Sequence, residues 1–144
     1  MDKAIRILDV NINRSREGLR VVEDVVRLVL NDAGLASRLK TIRHKVTHLS
    51  QQLPLEESEL LKARDSDGDV GMNLNNASED RRVDLSQIAT ANIRRSQESM
   101  RVLEEFSKLY DAKIALEFKK LRFDLYGLEK EILPKLIEYQ NQSG

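Results

Sequence analysis

Residues 11–24 read NINRSREGLRVVED, and residues 92–105 read NIRRSQESMRVLEE. Laid one on the other and carried on to Leu28 and Leu109, the two stretches share nine identities: Asn, Ile, Arg, Ser, Glu, Arg, Val, Glu and Leu. Packing accounts for the three apolar identities, but it does not account for the six polar ones. A phrase repeated with its charges in place marks an internal duplication, and the unit duplicated decides the fold.

Working outward from the first copy, Ile5, Leu8, Ile12, Ser15, Leu19, Val22, Val26 and Val29 are spaced alternately by three and four. That period lays one stripe of a helix against a partner. Asp2 suits the N-cap of this helix, and Gly34, in the NDAG turn, suits its end. The alternation then resumes in Leu35, Leu39, Ile42, Val46, Leu49 and Leu53 up to Pro54, so a second helix folds back on the first. The second copy repeats the plan with Ile93, Ser96, Met100, Leu103 and Tyr110, then Ile114, Phe118, Leu121, Leu125, Leu128 and Ile132. The predicted fold is all-α: a helical bundle of two tandem antiparallel hairpins joined by an Asp/Gly-rich loop. Repeat one covers about 3–53, the connector 54–83 and repeat two about 84–140, within a single domain of 144 residues.

Composition agrees with packed helices. Hydrophobic residues make up 40% and charged residues 33%, but aromatics only 4%, so the core is aliphatic and the surface ionic. A chain of this size buries roughly 68 to 70% of its unfolded surface in one core. Lys plus Arg (24) balances Asp plus Glu (24), and the basic residues are interleaved with acids, which argues against a nucleic-acid partner. There is no cysteine and no apolar run approaching the roughly 18 residues of a membrane span, so the expected setting is a reducing cytoplasm without a membrane partner.

The polar residues kept by both copies are Asn11 with Asn92, Arg14 with Arg95, Ser15 with Ser96, Glu17 with Glu98, Arg20 with Arg101, Glu23 with Glu104 and, on the returning helices, Arg43 with Arg122. Folding each hairpin about its turn brings Glu23 level with Arg43 and Glu104 level with Arg122, which predicts an ion pair across each hairpin. The same folding puts Asn11 and Asn92 beside Pro54 and Pro134, the only two prolines. The asparagines could satisfy backbone that proline leaves free, or the two proline ends could form the rim of one cleft. Arg14, Glu17 and Arg20, like Arg95, Glu98 and Arg101, are spaced three apart on one helical face. Two readings stay open for them: a solvated face of weak ion pairs, or a phosphate site in which arginine forks are oriented by glutamates.

Between the copies, ARDSDGDVG at residues 63–71 follows a predicted short helix around 56–63. Gly68 and Gly71 allow close backbone approach, and Asp65, Asp67 and Asp69 offer hard oxygens to Mg²⁺. The glycine positions do not fit a calcium loop. His44 and His48 are four apart but have Lys45, not glutamate, after the first, so they read as surface residues. No GxxxxGK[ST], GxGxxG or GxSxG stretch occurs.

Taken together, NINRSREGLRVVEDVVRLVL, RLKTIRHKV, ARDSDGDVG and ANIRRSQESMRVLEEFSK resemble the small all-helical hydroxymethylpyrimidine phosphate kinases of thiamin biosynthesis, which occur alone or fused ahead of a thiamine-phosphate synthase domain. The resemblance covers nearly the whole chain and fades in the last dozen residues. It implies a stand-alone kinase or an excised domain that transfers a phosphoryl group from MgATP to 4-amino-2-methyl-5-hydroxymethylpyrimidine phosphate. Under that reading Arg14, Arg20, Arg95 and Arg101 share the phosphate-bearing molecules and Arg64 reaches in from the loop. Asp65 and Asp69 hold Mg²⁺, and Gly68 to Gly71 bring backbone amides to the transferred group. Glu17 and Glu98 orient arginines or bind the pyrimidine's amino edge, with Asn11 and Asn92 also in the binding set. Similar sequences often carry Thr at the place of Ser66 and lack the acid at Asp67, so the division of metal binding among the three aspartates stays open. Competing readings are a non-catalytic module that binds a thiamin precursor or docks a partner, and an assembly domain that forms a homodimer through Val21, Val25 and Leu28.

Overall fold

The computed structural model describes residues 2–53 and 81–143. Those residues form four helices and no strands: α1 (Asp2–Leu28), α2 (Ala33–Gln52), α3 (Leu85–Ser107) and α4 (Ala112–Ser143). The all-α bundle of two antiparallel hairpins read from the sequence is the fold observed. Its core consists of the stripes that the three-and-four spacing marked. Leu8, Leu19, Val22, Leu39, Val46, Met100, Leu103, Phe118, Leu125 and Leu136 are fully sealed from solvent.

α1 packs on α2, and α3 on α4, as hairpin partners, but the broadest contact in the molecule is between α1 and α3. The two run antiparallel. The Ser96 hydroxyl donates to the Ser15 carbonyl at 2.9 Å, and Gly18 lies against the Asn92 carbonyl. Ser15 and Ser96 are equivalent positions in the two copies, so the crossing point is also the pseudo-two-fold axis of the duplication. At that point a Cβ on Gly18 would stand 2.6 Å from the Asn92 oxygen and would meet the Ser96 Oγ. Hydrogen in place of a side chain is what lets the helices come this close. Both buried hydroxyls are satisfied by carbonyls, Ser15 donating to Ile12 at 2.9 Å, so the polar crossing leaves neither donor orphaned.

The symmetry fixes where the ends lie. Lys135 reaches Asp32 at 2.8 Å and the Ser86 amide donates to Gln140 at 2.7 Å, which brings the start of α2, the start of α3 and the last turns of α4 to one end. α2 runs away from that end, so Leu53 finishes at the other. The proline ends of the hairpins therefore do not share one rim: α2 ends far from the level of Pro134. Pro134 itself does not stop its helix, because α4 continues through it to Ser143.

Three local expectations are corrected. The first turn is made by Asn31 in the left-handed region (φ 52°), not by Gly34, which lies inside α2. Asp32 caps α2 by accepting from the Leu35 amide at 3.0 Å. Tyr110 falls in the second turn, because α3 stops at Ser107, two residues short of the position equivalent to Leu28. Val25 faces the core at 9% exposure and leaves Leu28, 64% exposed, as the apolar side chain free at that end of α1.

The crossing yields a stability prediction of opposite signs at two helical glycines. Gly18→Ala is expected to destabilise the chain by about 1 to 3 kcal/mol through overpacking, despite alanine's better helix propensity. Gly127→Ala, in α4 with nothing within 4 Å of its added methyl, is expected to stabilise by about 0.5 to 1 kcal/mol. Urea denaturation of both variants checks this. A second expectation concerns acid. The Asp32 carboxyl is held below its ordinary value of 3.8, first by the Leu35 amide and then by Lys135. A depressed folded-state value favours the fold above 3.8, and that contribution is lost as pH falls through the lowered value. Asp32→Asn is therefore expected to reduce the acid dependence of the urea midpoint while leaving its trend elsewhere unchanged.

Candidate functional site

Side chains that leave the α1/α3 crossing on the solvent side build the first site. Asn11 and Arg14 from α1 and Arg95, Glu98, Ser99 and Val102 from α3 line one cleft of about 340 Å³. Arg14 and Arg95 are equivalent residues of the two copies, and the antiparallel crossing brings them to one groove from opposite directions. None of the ion pairs formed within the described residues uses Arg14, Arg20 or Arg95. Arg14 and Arg95 are both exposed, so their planar forks are available to an anion in a way that a paired arginine is not. Asn11 is 5% exposed and spends its amide on its own helix, donating to the Ile7 carbonyl at 2.8 Å. Asn92 does the same toward Ile88 at 2.8 Å. Asn92 thus serves its own helix and not the backbone beside Pro134. Each asparagine holds its side chain along the helix, and the Asn11 side-chain oxygen remains an acceptor at the cleft wall.

The predicted triads are divided by the structure. Arg101 lies in a neighbouring cleft of about 500 Å³ between α3 and α4, with Arg94, Gln97, Glu98, Arg122 and Tyr126. Glu98 lines both clefts and forms the wall they share. Arg101 pairs with Glu105 at 3.3 Å, and both are largely exposed. Glu105 is held below the ordinary carboxylate value, first by a hydrogen bond from Lys108 and then by its charge, with Arg101 a smaller cause. Glu17 and Arg20 stay exposed on α1 and line neither of these two clefts. Arg64, Asp65, Gly68, Asp69 and Gly71, along with the expected helix at 56–63, lie outside the described residues. Within the described residues no cluster of three His, Cys, Asp or Glu forms a metal site. His48 contacts Gln52 at 2.8 Å on an exposed face.

Both predicted ion pairs form, with different geometry. Glu23 receives a fork from Arg43, Nε at 2.9 Å and Nη2 at 3.3 Å. Glu104 receives Nη2 of Arg122 at 2.8 Å, while Nη1 of that arginine turns to the Tyr126 hydroxyl at 3.3 Å and its Nε is buried without a partner. The Arg122 guanidinium is held in its charged form, first by Tyr126 and then by Glu104, which raises its pKa. Sequence reasoning treated the pairs as interchangeable and so missed Arg94, Gln97 and Tyr126. The available signal was divergence: these residues stand where repeat one has Asn13, Arg16 and Thr47.

A protein-family model matches residues 6–131, nearly the full length of the four helices, and that model is the ThiD2 family. The chain belongs to the ThiD2 family. Among curated proteins it is similar to a thiamine-phosphate synthase of Rhodopirellula baltica, 39% identical over 132 residues. Thiamine-phosphate synthases of Nostoc punctiforme and Synechocystis sp. are each 40% identical, over 128 and 138 residues. These alignments take in 92%, 89% and 95% of this chain but 35%, 35% and 38% of the relatives. The ThiD2 chain thus spans little more than a third of the length of the curated relatives it matches. No solved structure matches it.

If the α1/α3 cleft takes a phosphate in a bidentate grip, charge alone does not suffice. Arg14→Lys and Arg95→Lys are each expected to weaken binding of inorganic pyrophosphate by about tenfold, close to the loss on substitution by Ala, because lysine keeps the charge and loses the fork. Titration calorimetry at fixed ionic strength checks this, with lysine variants at wild-type affinity as the contrary result.

Proposed function

We propose that this ThiD2-family chain acts in thiamin biosynthesis as a phosphotransferase, using ATP to convert 4-amino-2-methyl-5-hydroxymethylpyrimidine phosphate to its diphosphate. The observation that carries the reading is the convergence of Arg14 and Arg95, exposed, equivalent in the two copies and without an ion pair among the described residues, on one cleft walled by Asn11 and Glu98. Family membership and the names of the relatives support the pathway. The kinase activity rests on the site chemistry and on the resemblance of the long phrases.

Phosphoryl transfer asks little covalent chemistry of a protein and depends on positioning and charge. In this reading the forks of Arg14 and Arg95 hold the acceptor phosphate at the crossing. One of its oxygens attacks the γ-phosphorus of ATP, the bond to the β–γ bridging oxygen breaks, and ADP leaves. A phosphate monoester has its second pKa near roughly 6, so the attacking oxygen is largely unprotonated at neutral pH and no protein base is required. Glu98 accepts from the pyrimidine's amino group or orients Arg95. Mg²⁺, if bound, would supply charge neutralisation at the nucleotide's phosphates. Asp65 and Asp69 are the side chains proposed to hold it, with Arg64, Gly68 and Gly71 proposed around the transferred group. The alternative is a non-catalytic module that binds a thiamin precursor through the same cleft.

The decisive assay mixes the protein with MgATP and the pyrimidine phosphate and follows ADP and pyrimidine diphosphate together. Equal appearance of both products is expected, with Arg14→Ala and Arg95→Ala lowering kcat/KM by 10²-fold or more, on the order of a lost transition-state contact. Binding of the pyrimidine phosphate without turnover, by an intact folded chain, would establish the non-catalytic module instead.

A further inference from the structure

The duplication supplies an internal control for the second cleft. Around the core the two hairpins keep the same pattern, yet four of the positions where they change chemistry lie together on one face of repeat two. Arg94, Gln97, Tyr126 and Glu129 replace Asn13, Arg16, Thr47 and Ser50. In the first hairpin Thr47 and Ser50 turn their hydroxyls back onto their own helix, to the Arg43 carbonyl at 3.4 Å and the Thr47 carbonyl at 2.6 Å. In the second the replacements form a connected group that spans α3 and α4. Glu129 receives Arg94 at 3.1 Å and Gln97 at 3.1 Å, and Arg122 bonds Tyr126.

This group provides three chemistries at one cleft. The Tyr126 ring stands edge-on to Phe123 at 5.6 Å, with the Arg122 guanidinium 5.9 Å from its centroid, yet 36% of the residue remains exposed. A fixed aromatic ring at a cleft wall is a stacking surface for a planar heterocycle. Arg94 and Arg101 present forks on exposed side chains; Glu105, the partner of Arg101, is a surface carboxylate of the kind readily exchanged for a phosphate, whereas Glu129, 17% exposed and also bonded by Gln97, anchors Arg94 at the cleft edge. Glu98 offers an acceptor for an exocyclic amino group. Arg122, in contrast to Arg43, commits a single nitrogen to its glutamate and leaves Nε orphaned in the interior. An arginine turned from its buried carboxylate toward a tyrosine at the cleft wall gives up a fully satisfied ion pair to hold that ring in place.

We propose that the α3/α4 cleft is a binding site for a phosphorylated aromatic heterocycle, stacked on Tyr126 and gripped by Arg94 and Arg101. It is separate from the Arg14/Arg95 cleft and joined to it at Glu98. This deepens the phosphoryl-transfer reading and rests on it: with the pyrimidine phosphate held at Arg14 and Arg95, the ligand left for this cleft is the adenine nucleotide. Their sites meet across one carboxylate, as a donor and an acceptor must.

The test is calorimetric titration of the intact chain with MgADP and, separately, with the pyrimidine phosphate, for wild type, Tyr126→Ala, Tyr126→Phe and Thr47→Ala, with helicity checked by circular dichroism. Tyr126→Ala is expected to weaken MgADP by about tenfold or more and leave the pyrimidine phosphate unchanged; loss of the pyrimidine phosphate in its place would overturn the assignment. Tyr126→Phe, which keeps the ring but loses the hydroxyl that Arg122 holds, is expected to lose less than Tyr126→Ala, and Thr47→Ala, at the equivalent place in the first hairpin, is expected to bind as wild type. Binding of both ligands with wild-type affinity by a folded Tyr126→Ala would overturn the proposal, as would equal losses from Thr47→Ala. Wild-type protein that binds neither ligand would overturn the phosphoryl-transfer reading along with it, whereas binding without turnover would remove the kinase and leave the site.

Discussion

The fold depends on how closely α1 and α3 can cross. Gly18 has no side chain, Ser15 and Ser96 have very small ones, and the Ser96 hydroxyl bonds the opposing carbonyl at 2.9 Å. That approach makes the pseudo-two-fold axis of the duplication run through a hydrogen bond. The contacts at and beside it, Ser15 with Ser96 and Gly18 with Asn92, set the equivalent helices antiparallel, which puts the ends of the two hairpins at opposite ends of the bundle. Arg14 and Arg95 flank the same axis, so the contact that fixes the backbone also brings them into one groove. A larger residue at position 18 would separate the helices and, with them, the two walls of that cleft.

Around this crossing the ion pairs divide into a structural and a specialised member. Arg43 gives Glu23 a two-pronged grip behind the first hairpin, whereas Arg122 splits itself between Glu104 and Tyr126. Removing one member of a buried pair leaves a stranded charge, which on the order of 3 to 5 kcal/mol disfavours, so both pairs persist whatever their other role. Partial loss of satisfaction in the second pair, next to a tyrosine and two exposed arginines, is the kind of local inconsistency expected where a fold serves a ligand.

The period of three and four was enough to read both hairpins, the aliphatic core and the two ion pairs, because each follows from residues facing one another within a helix or across one turn. What the sequence left hidden was the relation between the hairpins. Nothing in the spacing of Ile93 or Leu19 says whether α3 runs along or against α1, and a parallel arrangement would have gathered the proline ends into one rim. Gly18 and Ser96 carry the answer, but a single glycine opposite a serine has no signature until the crossing is seen. Asn31 took the turn from Gly34 because asparagine tolerates the left-handed region nearly as well, so glycine alone does not locate a helix end. For the site, residues kept by both copies pointed to Arg14, Arg95 and Glu98, while the divergent residues Arg94, Gln97 and Tyr126 were invisible to a search for identity.

The duplication thus acts in two ways: shared residues meet at the axis, and the divergent Arg94, Gln97 and Tyr126 join retained ones in the neighbouring cleft on one side. The measurement that tests this most directly is an NMR titration of the 144-residue chain with the pyrimidine phosphate, following backbone amides. Shifts concentrated at residues 11–14 and 95–102, on both helices at once, are the expected result. Shifts confined to one hairpin, or lying away from the crossing, would contradict a site built jointly by the two copies.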